Sequence, residues 1–474
     1  MPRERTRTVF LCQTCGHESP KWMGFCPSCG DQSPLVEGPR GSRSTRQGWL
    51  ATISESPREL SQVFPNEQER TPLAFGELNR VLGGGVVPGS LVLMAGEPGV
   101  GKSTLLLQTA GYVASTGSKV LYVSGEESAH QIKLRSDRLG FSGQGIYLLS
   151  ETDVDEVVQH LEHSRPALAI VDSVQTLYTQ DIPSGQGSVA QVRECALRLM
   201  RWAKARAVPL FIAGHVTKDG TLAGPRVLEH MVDVVLHLEG ETLSAYRILR
   251  GDKNRFGSTN EVGIFQMGGK GLEEVLDPSS VLLSQHRNEA IGSANVPILE
   301  GSRPLLVEIQ ALTSPSILAV PRRIANGIDY NRLLMLTAVL SRRVGLNLSN
   351  QDIIVNVVGG LRIREPATDV AVALAIASSL RNAPLSPGMV GLGEVGLSGE
   401  LRTVPQLQRR LNEASRLGFR RCLLPSATGE DAGGVEGIEL IFSPTLSDAL
   451  QQCLPGRKVS QTSDPLDEFV EERV

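Results

Sequence analysis

Residues 96–103 read Gly96-Glu97-Pro98-Gly99-Val100-Gly101-Lys102-Ser103, a full match to G-x-x-x-x-G-K-[ST], with Thr104 following. Glycines at these positions let backbone N–H groups close around phosphates at the start of a helix. Lys102 then reaches the β and γ oxygens of ATP, and the Ser103 hydroxyl binds Mg(II). Downstream, the apolar run over residues 168–171 ends in Asp172, an acid at a strand end as magnesium binding requires, although a strand-terminal Asp also serves as a helix cap. Hydrolysis needs one more carboxylate to orient the attacking water. Glu126 and Glu127 both follow the strand-like residues 120–124, so either qualifies, and one of them could be only an acid favoured by a helix dipole.

A second chemistry sits near the N-terminus. Cys12-Gln-Thr-Cys15 and Cys26-Pro-Ser-Cys29 form two C-x-x-C knuckles, each followed by glycine. Such paired turns aim four thiolates at one tetrahedral Zn(II), and a redox dithiol is the alternative. His17 is near enough to substitute as a ligand, but four cysteines complete the set without it. A closed four-thiolate site has no open position for a substrate, so this zinc organises a module and does no chemistry. The first fifty residues carry seven Lys/Arg against four Asp/Glu, an excess that permits phosphate contact. Cys195, Cys422 and Cys453 lie scattered in apolar segments and read as core thiols.

These residues need elements to hold them. The phosphate loop falls between a strand over residues 91–95 and a helix over 104–114. Further strands over 120–124, 168–172 and 209–213 alternate with helical segments, the pattern of a parallel sheet covered by helices. A third stretch alternates again, with strands over 305–311 and 353–358 and an apolar helix over 367–380. The chain of 474 residues exceeds one hydrophobic core. It divides into a four-cysteine zinc module (8–36), a linker (37–70) that is rich in Gly, Ser and Arg over residues 38–47, an ATPase domain (71–280), a third domain (285–455) and an acidic tail (456–474) read as disordered. Apolar residues make up 41% and charged ones 21%, and no apolar run approaches the ~20 residues that cross a bilayer. The first residues lack the apolar stretch of a secretory signal, so the expected location is the cytoplasm. A net charge of -4 leaves any nucleic-acid contact to a local basic face.

The run Phe75-Gly-Glu-Leu-Asn-Arg-Val-Leu-Gly-Gly-Gly85, followed by Gly89 and the phosphate loop, resembles the entry to a RecA-type ATPase core. With the four-cysteine module, His215-Val-Thr-Lys-Asp-Gly220 and Lys253-Asn-Arg-Phe-Gly257, the chain over about residues 8–455 resembles the bacterial RadA (Sms) family of DNA-repair and recombination proteins. Asn79 stands where that family often has Asp. The resemblance implies an α/β chain of zinc-ribbon-like module, RecA-like P-loop core and Lon-protease-like domain. It implies a homohexameric ring that hydrolyses ATP on single-stranded DNA and extends branched recombination intermediates, with a recombinase or replicative helicase as protein partner. Glu126 would orient the water, and His215 would sense the γ-phosphate and pass its state to residues 217–226. Lys253 and Arg255 would act in a neighbouring subunit's site; without the family they read as a solvated basic turn. Residues 217–226, with Lys218 and Arg226, and the segment 178–191, read as flexible, would hold a DNA backbone.

Residues 285–455 resemble the proteolytic domain of Lon-type proteases, whose nucleophilic serine is activated by a lysine. In Glu365-Pro-Ala367-Thr-Asp369 the serine position holds Ala367, and in Val404-Pro-Gln-Leu-Gln408-Arg-Arg410 the lysine position holds Gln408. Neither a methyl group nor an amide replaces those groups, and Ser378, Ser379 and Ser398 lie outside the matching motif. The domain therefore reads as a scaffold, with Arg322, Arg323, Arg342 and Arg343 as a candidate basic surface. An ATP-dependent protease and an ATP-switched protein scaffold are the competing functions. Protein prepared without chelator is expected to carry one zinc per chain through Cys12, Cys15, Cys26 and Cys29; metal analysis finding none removes the zinc assignment.

Overall fold

Alternation of buried apolar runs with capped helices produces the architecture of the computed structural model, which describes residues 8–12, 18–19, 21–27, 29, 32, 35–39, 70–215, 225–240, 245–283, 290–433 and 435–454. Cys15, His17, residues 40–69, 216–224 and 455–474 lie outside the described residues, so the acidic tail, Lys218 and most of the expected linker do too, while linker residues 37–39 belong to a strand. The chain divides into two compact units, residues 1–276 with 300–303, and residues 277–299 with 304–474.

In the first unit, β1 (Thr8–Leu11), β2 (Glu18–Ser19) and β3 (Val36–Pro39) form a small antiparallel sheet in the order β2-β1-β3. Cys12 and Cys26 pack with Leu35 into a minimal core. A nine-stranded sheet follows, built from β4 (Leu91–Gly96), β5 (Val120–Ser124), β6 (Ile146–Leu149), β7 (Leu168–Asp172), β8 (Leu210–His215), β9 (Val234–Glu239), β10 (Tyr246–Asn254), β11 (Val262–Gly268) and β12 (Gly271–Glu274). Its order is β12-β11-β10-β9-β4-β8-β7-β5-β6. Strands β4 to β9 pair in parallel, whereas β10, β11 and β12 add an antiparallel extension. The sheet is thus mixed, not purely parallel as the alternation suggested. The difference has a local cause: after β9 the short connections leave no room for the crossover helix that a parallel strand requires.

The helices are α1 (Gly76–Leu82), α2 (Lys102–Ser115), α3 (Ala129–Arg138), α4 (Val154–Ser164), α5 (Val189–Arg206) and α6 (Pro225–Glu229). Every residue of the central strand β4 is buried. Val92 and Met94 face a core that contains Leu105 and Leu106 of α2, while Leu91, Leu93 and Ala95 face one that contains Val157 of α4 and Leu199 of α5. A strand buried on both faces reads as a continuous apolar run, which is why its sequence shows no alternation. Asn79, on α1, is tied to the segment before the helix. Its amide accepts from Leu73 N–H at 2.8 Å and donates to the Leu73 carbonyl at 3.0 Å, a pairing a carboxylate makes only in part.

The second unit contains α7 (Pro278–Leu282), β13 (Ser293–Glu300), β14 (Arg303–Pro315), β15 (Arg323–Asn326), α8 (Tyr330–Val339), β16 (Gln351–Val357), α9 (Asp369–Arg381), β17 (Met389–Gly391), β18 (Glu394–Val395), β19 (Leu401–Arg402), α10 (Leu407–Arg416), β20 (Arg421–Pro425), β21 (Glu439–Ser443) and α11 (Leu446–Cys453). Its main sheet runs β15-β16-β14-β13-β17-β20-β21. The helix expected from residue 367 begins at Asp369, because Pro366 opens a short 3-10 turn over Pro366–Thr368. Small residues line α9, and all from Val370 to Ala377 are buried. Cys195, Cys422 and Cys453 are all buried, and burial pushes the Cys195 and Cys453 thiols up to about 12, so all three are inert core groups.

Where a Lon-type dyad would stand, the structure places a buried methyl and an exposed amide. Ala367 is buried, and Gln408 on α10 donates to Asn412 at 3.2 Å. The two motif segments are instead joined by Arg410, whose side chain is fully buried. It binds both oxygens of Glu365 at 2.9 and 2.6 Å and donates to the Pro297 and Pro405 carbonyls. Glu365 also accepts from Leu299 N–H at 2.8 Å. Breaking such a pair strands a buried charge. Arg410→Ala is expected to destabilise the second unit by about 3–5 kcal/mol, while Arg410→Met with Glu365→Leu costs much less. Denaturant unfolding of the full chain distinguishes the two outcomes.

Candidate ATP site

The phosphate loop is shaped by what a side chain would hit. At Gly96 (φ 151) a Cβ would lie 2.4 Å from the Leu238 carbonyl oxygen, and at Gly101 (φ 116) it would lie 2.7 Å from the Met267 methyl carbon. Only glycine satisfies both the positive φ and the close approach. The loop ends at Gly101, the N-cap of α2, so the first N–H groups of α2 point into the cradle with no side chain capping them. Glu97, Pro98 and Gly99 are exposed at its rim, while Val100 is buried and Ser103 and Thr104 are partly buried on the first turn of α2.

Lys102 is 4% exposed, and its ammonium donates to the Gly96 and Glu97 carbonyls, both at 2.9 Å. Burial lowers its pKa to about 8, against the opposing pull of the Asp172 and Glu126 carboxylates. Three predicted residues, separated in sequence by up to seventy positions, thus share one electrostatic neighbourhood. The residues present suit a magnesium nucleotide: a carboxylate at the end of β7, a hydroxyl at the start of α2, a buried ammonium, and a side-chain-free cradle.

Asp172 is in register with Ser124 on β5, and its Oδ2 accepts from the Tyr122 hydroxyl at 2.7 Å. Ser173, fully buried, donates to Glu126 Oε1 at 2.5 Å. Glu127 turns elsewhere, pairing with Arg135 on α3 at 2.5 Å while its backbone N–H and carbonyl engage the Ser124 hydroxyl. The two adjacent glutamates therefore have different partners: Glu126 accepts from Ser173 and favours the charge on Lys102, and Glu127 pairs with Arg135 of α3. His215 ends β8 in register with Gly96, the first residue of the loop; its side chain lies outside the described residues, as does that of Arg226 at the start of α6.

Lys253 and Arg255 occupy the opposite end of the sheet. Strand β9 runs parallel to β4, with Val234 beside Val92 and Leu238 beside Gly96, so Asp233 precedes the end remote from the loop. Buried Asp233 accepts from Leu91 N–H at 3.1 Å, from Lys204 at 3.2 Å and from Arg255 at 3.2 Å. Its own carbonyl accepts from Arg255 N–H. The Arg255 side chain is half exposed. Lys253 donates to the Glu229 and Val232 carbonyls at 2.7 and 2.9 Å, satisfying acceptors at the end of α6, and burial holds its pKa below the usual lysine range. At about 3.3 Å per strand residue, the span of β4 puts both roughly 15 Å from the chain's own phosphate loop.

Segment 178–191, expected as flexible, is ordered by one buried amide. Gln191 accepts from Thr179 N–H at 2.8 Å and lies within hydrogen-bond distance of the Thr179, Ile182 and Ser184 carbonyls. It walls a hollow of about 360 Å³ with Tyr178, Gln180 and Pro183. Tyr122, Ser173, Asp233 and Gln191 escaped the sequence reading, because each acts through a partner remote in sequence or through its backbone surroundings. Only the hydroxyl of Ser173, next to Asp172, offered a local signal.

In the zinc module, the Cys12, Cys26 and Cys29 sulfurs lie within 4.8 Å of one another, and the Cys12 and Cys29 sulfurs are 3.7 Å apart. Thiolates about 2.3 Å from a zinc ion stand about 3.8 Å apart at the corners of a tetrahedron, so the donor set fits. Among the described residues, no helix is long and apolar enough to cross a membrane.

Three stretches match known families: residues 10–37 a rubredoxin metal binding domain, residues 74–221 an AAA domain, and residues 331–428 the ChlI subunit of Mg-chelatase. The chain is 48% identical over 457 residues to the DNA repair protein RadA of Bacillus subtilis (strain 168), covering 95% of this chain and 100% of that protein. It is 49% identical over 460 residues to the protein of that name from Halalkalibacterium halodurans, covering 95% and 99%. The RadA protein of Listeria monocytogenes is 47% identical, covering 96% of this chain and all of that protein. Among solved structures, a KaiC-like protein of Pyrococcus horikoshii OT3 aligns over 44% of this chain and 98% of its own, with 19% identity and a TM-score of 0.37.

The depressed pKa of Lys102 has a measurable consequence. Below pH 8 its ammonium is charged before nucleotide arrives. Above pH 8 the unliganded group is largely neutral, and bound phosphates favour recharging it. Nucleotide binding should therefore take up more than about half a proton at pH 8.5 and almost none from this group at pH 7, and affinity should fall as pH rises through 8. Calorimetry in buffers of differing ionisation enthalpy measures the uptake, and Lys102→Ala should abolish it.

Proposed function

This chain belongs to the RadA family of DNA repair proteins, a family of ATPases with a RecA-like core, and from that premise we propose that it is a DNA-stimulated ring motor that drives branch migration of recombination intermediates. The observation that carries the proposal is the division of labour along one sheet. Lys102, Asp172 and Glu126 meet at one end, and Arg255 is held half exposed at the other. An arginine that cannot reach its own phosphate loop is placed to serve a neighbour's, as in a closed ring of identical subunits. A homohexamer is the assembly the family resemblance implies.

In this reading Gly96 to Thr104 hold the nucleotide, and Ser103 and Asp172 hold magnesium, which when bound would neutralise charge on the β and γ phosphates. Glu126 orients the attacking water, its carboxylate set by Ser173, and Glu127 braces α3. His215, beside Gly96 in register, couples the γ-phosphate to residues 217–226, which with segment 178–191 contact single-stranded DNA without reading its sequence. Lys253 ties the Lys-Asn-Arg-Phe-Gly turn to the end of α6 and so to the DNA-contacting loop before it. Its part in a neighbour's site would follow from release of that contact.

The C-terminal domain serves assembly and does not cleave peptides, a reading supported by the buried methyl of Ala367, the exposed amide of Gln408 and the Arg410–Glu365 pair between their segments. The protein acts in the cytoplasm with a recombinase or replicative helicase, and its Cys12, Cys15, Cys26 and Cys29 module binds zinc.

Lys102→Ala is expected to abolish ATP turnover in a folded protein. Arg255→Ala is expected to lower turnover by about 10³-fold while sparing nucleotide binding. The decisive assay mixes the two variants. Co-assembled rings should regain single-strand-stimulated hydrolysis, since some interfaces pair an intact phosphate loop with an intact Arg255. No recovery in mixed rings would remove the trans role.

A further inference from the structure

Tyr122 lies on β5, two residues before Ser124, and is 1% exposed within the apolar core under α2. A phenylalanine would fill that space as well, and a hydroxyl buried there is tolerated only if it is hydrogen-bonded. Its partner is the Asp172 carboxylate. The phenol donates to Oδ2 at 2.7 Å, reaching from its register partner Ile170 towards the end of β7. A phenol is protonated throughout the working range, so Tyr122 is a donor there.

The terminal torsion of an aspartate is broad, and a carboxylate with two equivalent oxygens can turn between metal and protein partners. A donor to Oδ2 at 2.7 Å restricts that rotation and leaves Oδ1 free of the Tyr122 bond. The next residue repeats the device, with Ser173 fixing Glu126. The Arg135 charge acts on the phenol in the opposite direction to the Asp172 carboxylate; its Nη2 binds Glu127, and its buried Nη1 has no hydrogen-bond partner among the described residues.

We propose that Tyr122 is a positioning residue for magnesium, orienting Asp172 through the hydrogen bond to Oδ2. The inference rests on the ATP-site reading and deepens it, because it assigns the metal affinity of the site partly to a residue with no access to nucleotide. Outer partners of metal ligands commonly change metal affinity by tenfold or more.

The test uses the full-length protein and a fluorescent, non-hydrolysable ATP analogue, with binding followed by anisotropy as magnesium is titrated. Tyr122→Phe should leave the magnesium-free affinity within about twofold of wild type and raise the magnesium midpoint roughly tenfold. Excess magnesium should then restore hydrolysis to near the wild-type rate, a rescue that a merely structural lesion would not allow. Coincident midpoints would overturn the proposal, as would parallel loss of magnesium-free and magnesium-supported binding. A Tyr122→Phe protein that does not fold would make the hydroxyl structural and overturn it too. A wild-type protein that binds no analogue at any magnesium concentration would instead bring down the ATP-site reading, and this inference with it.

Discussion

The close approach of the phosphate loop to strand β9 is the constraint on which the rest of the first unit depends. The Leu238 carbonyl lies where a side chain at Gly96 would begin, and Met267 closes on Gly101 from β11. Those contacts require β9 beside β4, and therefore the chain order that returns after β8 to the far side of the central strand. The same placement brings Asp233, just before β9, under the first residue of β4, where it accepts from Leu91 N–H and holds Arg255. One packing relation shapes the loop at one end of the sheet and anchors the basic turn at the other.

Burial then sets the charges. An ammonium as enclosed as that of Lys102 is costly unless acceptors meet it, and here two loop carbonyls do so while the Asp172 and Glu126 carboxylates favour its charge. The carboxylates could repel one another or rotate away, yet each is tied by a hydroxyl, Asp172 by Tyr122 of β5 and Glu126 by Ser173 just after β7. Such ties reduce the reorganisation needed when polyphosphate enters, which is where preorganised sites gain over water. Arg135 removes Glu127 from the competition by pairing with it.

The second unit is held by fixed charges in its interior. Ala367 is a buried methyl and Gln408 an outward amide, and Arg410 with Glu365 locks their segments together at zero exposure of the Arg410 side chain. A buried pair of this kind contributes less to net stability than to fixing one arrangement of the chain. Asp369, at the start of α9, is held by Arg332 and by Val395 N–H at 3.0 Å, so the same stretch carries a second fixed carboxylate.

The sequence alone determined the phosphate loop, the strand-end aspartate and the cysteine knuckles, because each is written in contiguous residues or fixed spacing. It also placed the strands around the loop, since a strand buried on both faces is a continuous apolar run. It did not determine that β10 to β12 turn antiparallel, nor that segment 178–191 is ordered by Gln191, because those outcomes depend on which surfaces meet. Tertiary structure alone separated Glu126 from Glu127. The two are neighbours of identical chemistry, and only the packing around them gives one the Ser173 hydroxyl and the other Arg135. It alone decided that Tyr122, indistinguishable in sequence from any core aromatic, lends its hydroxyl to Asp172, since a hydrogen bond across fifty residues exists only once two strands have paired in register.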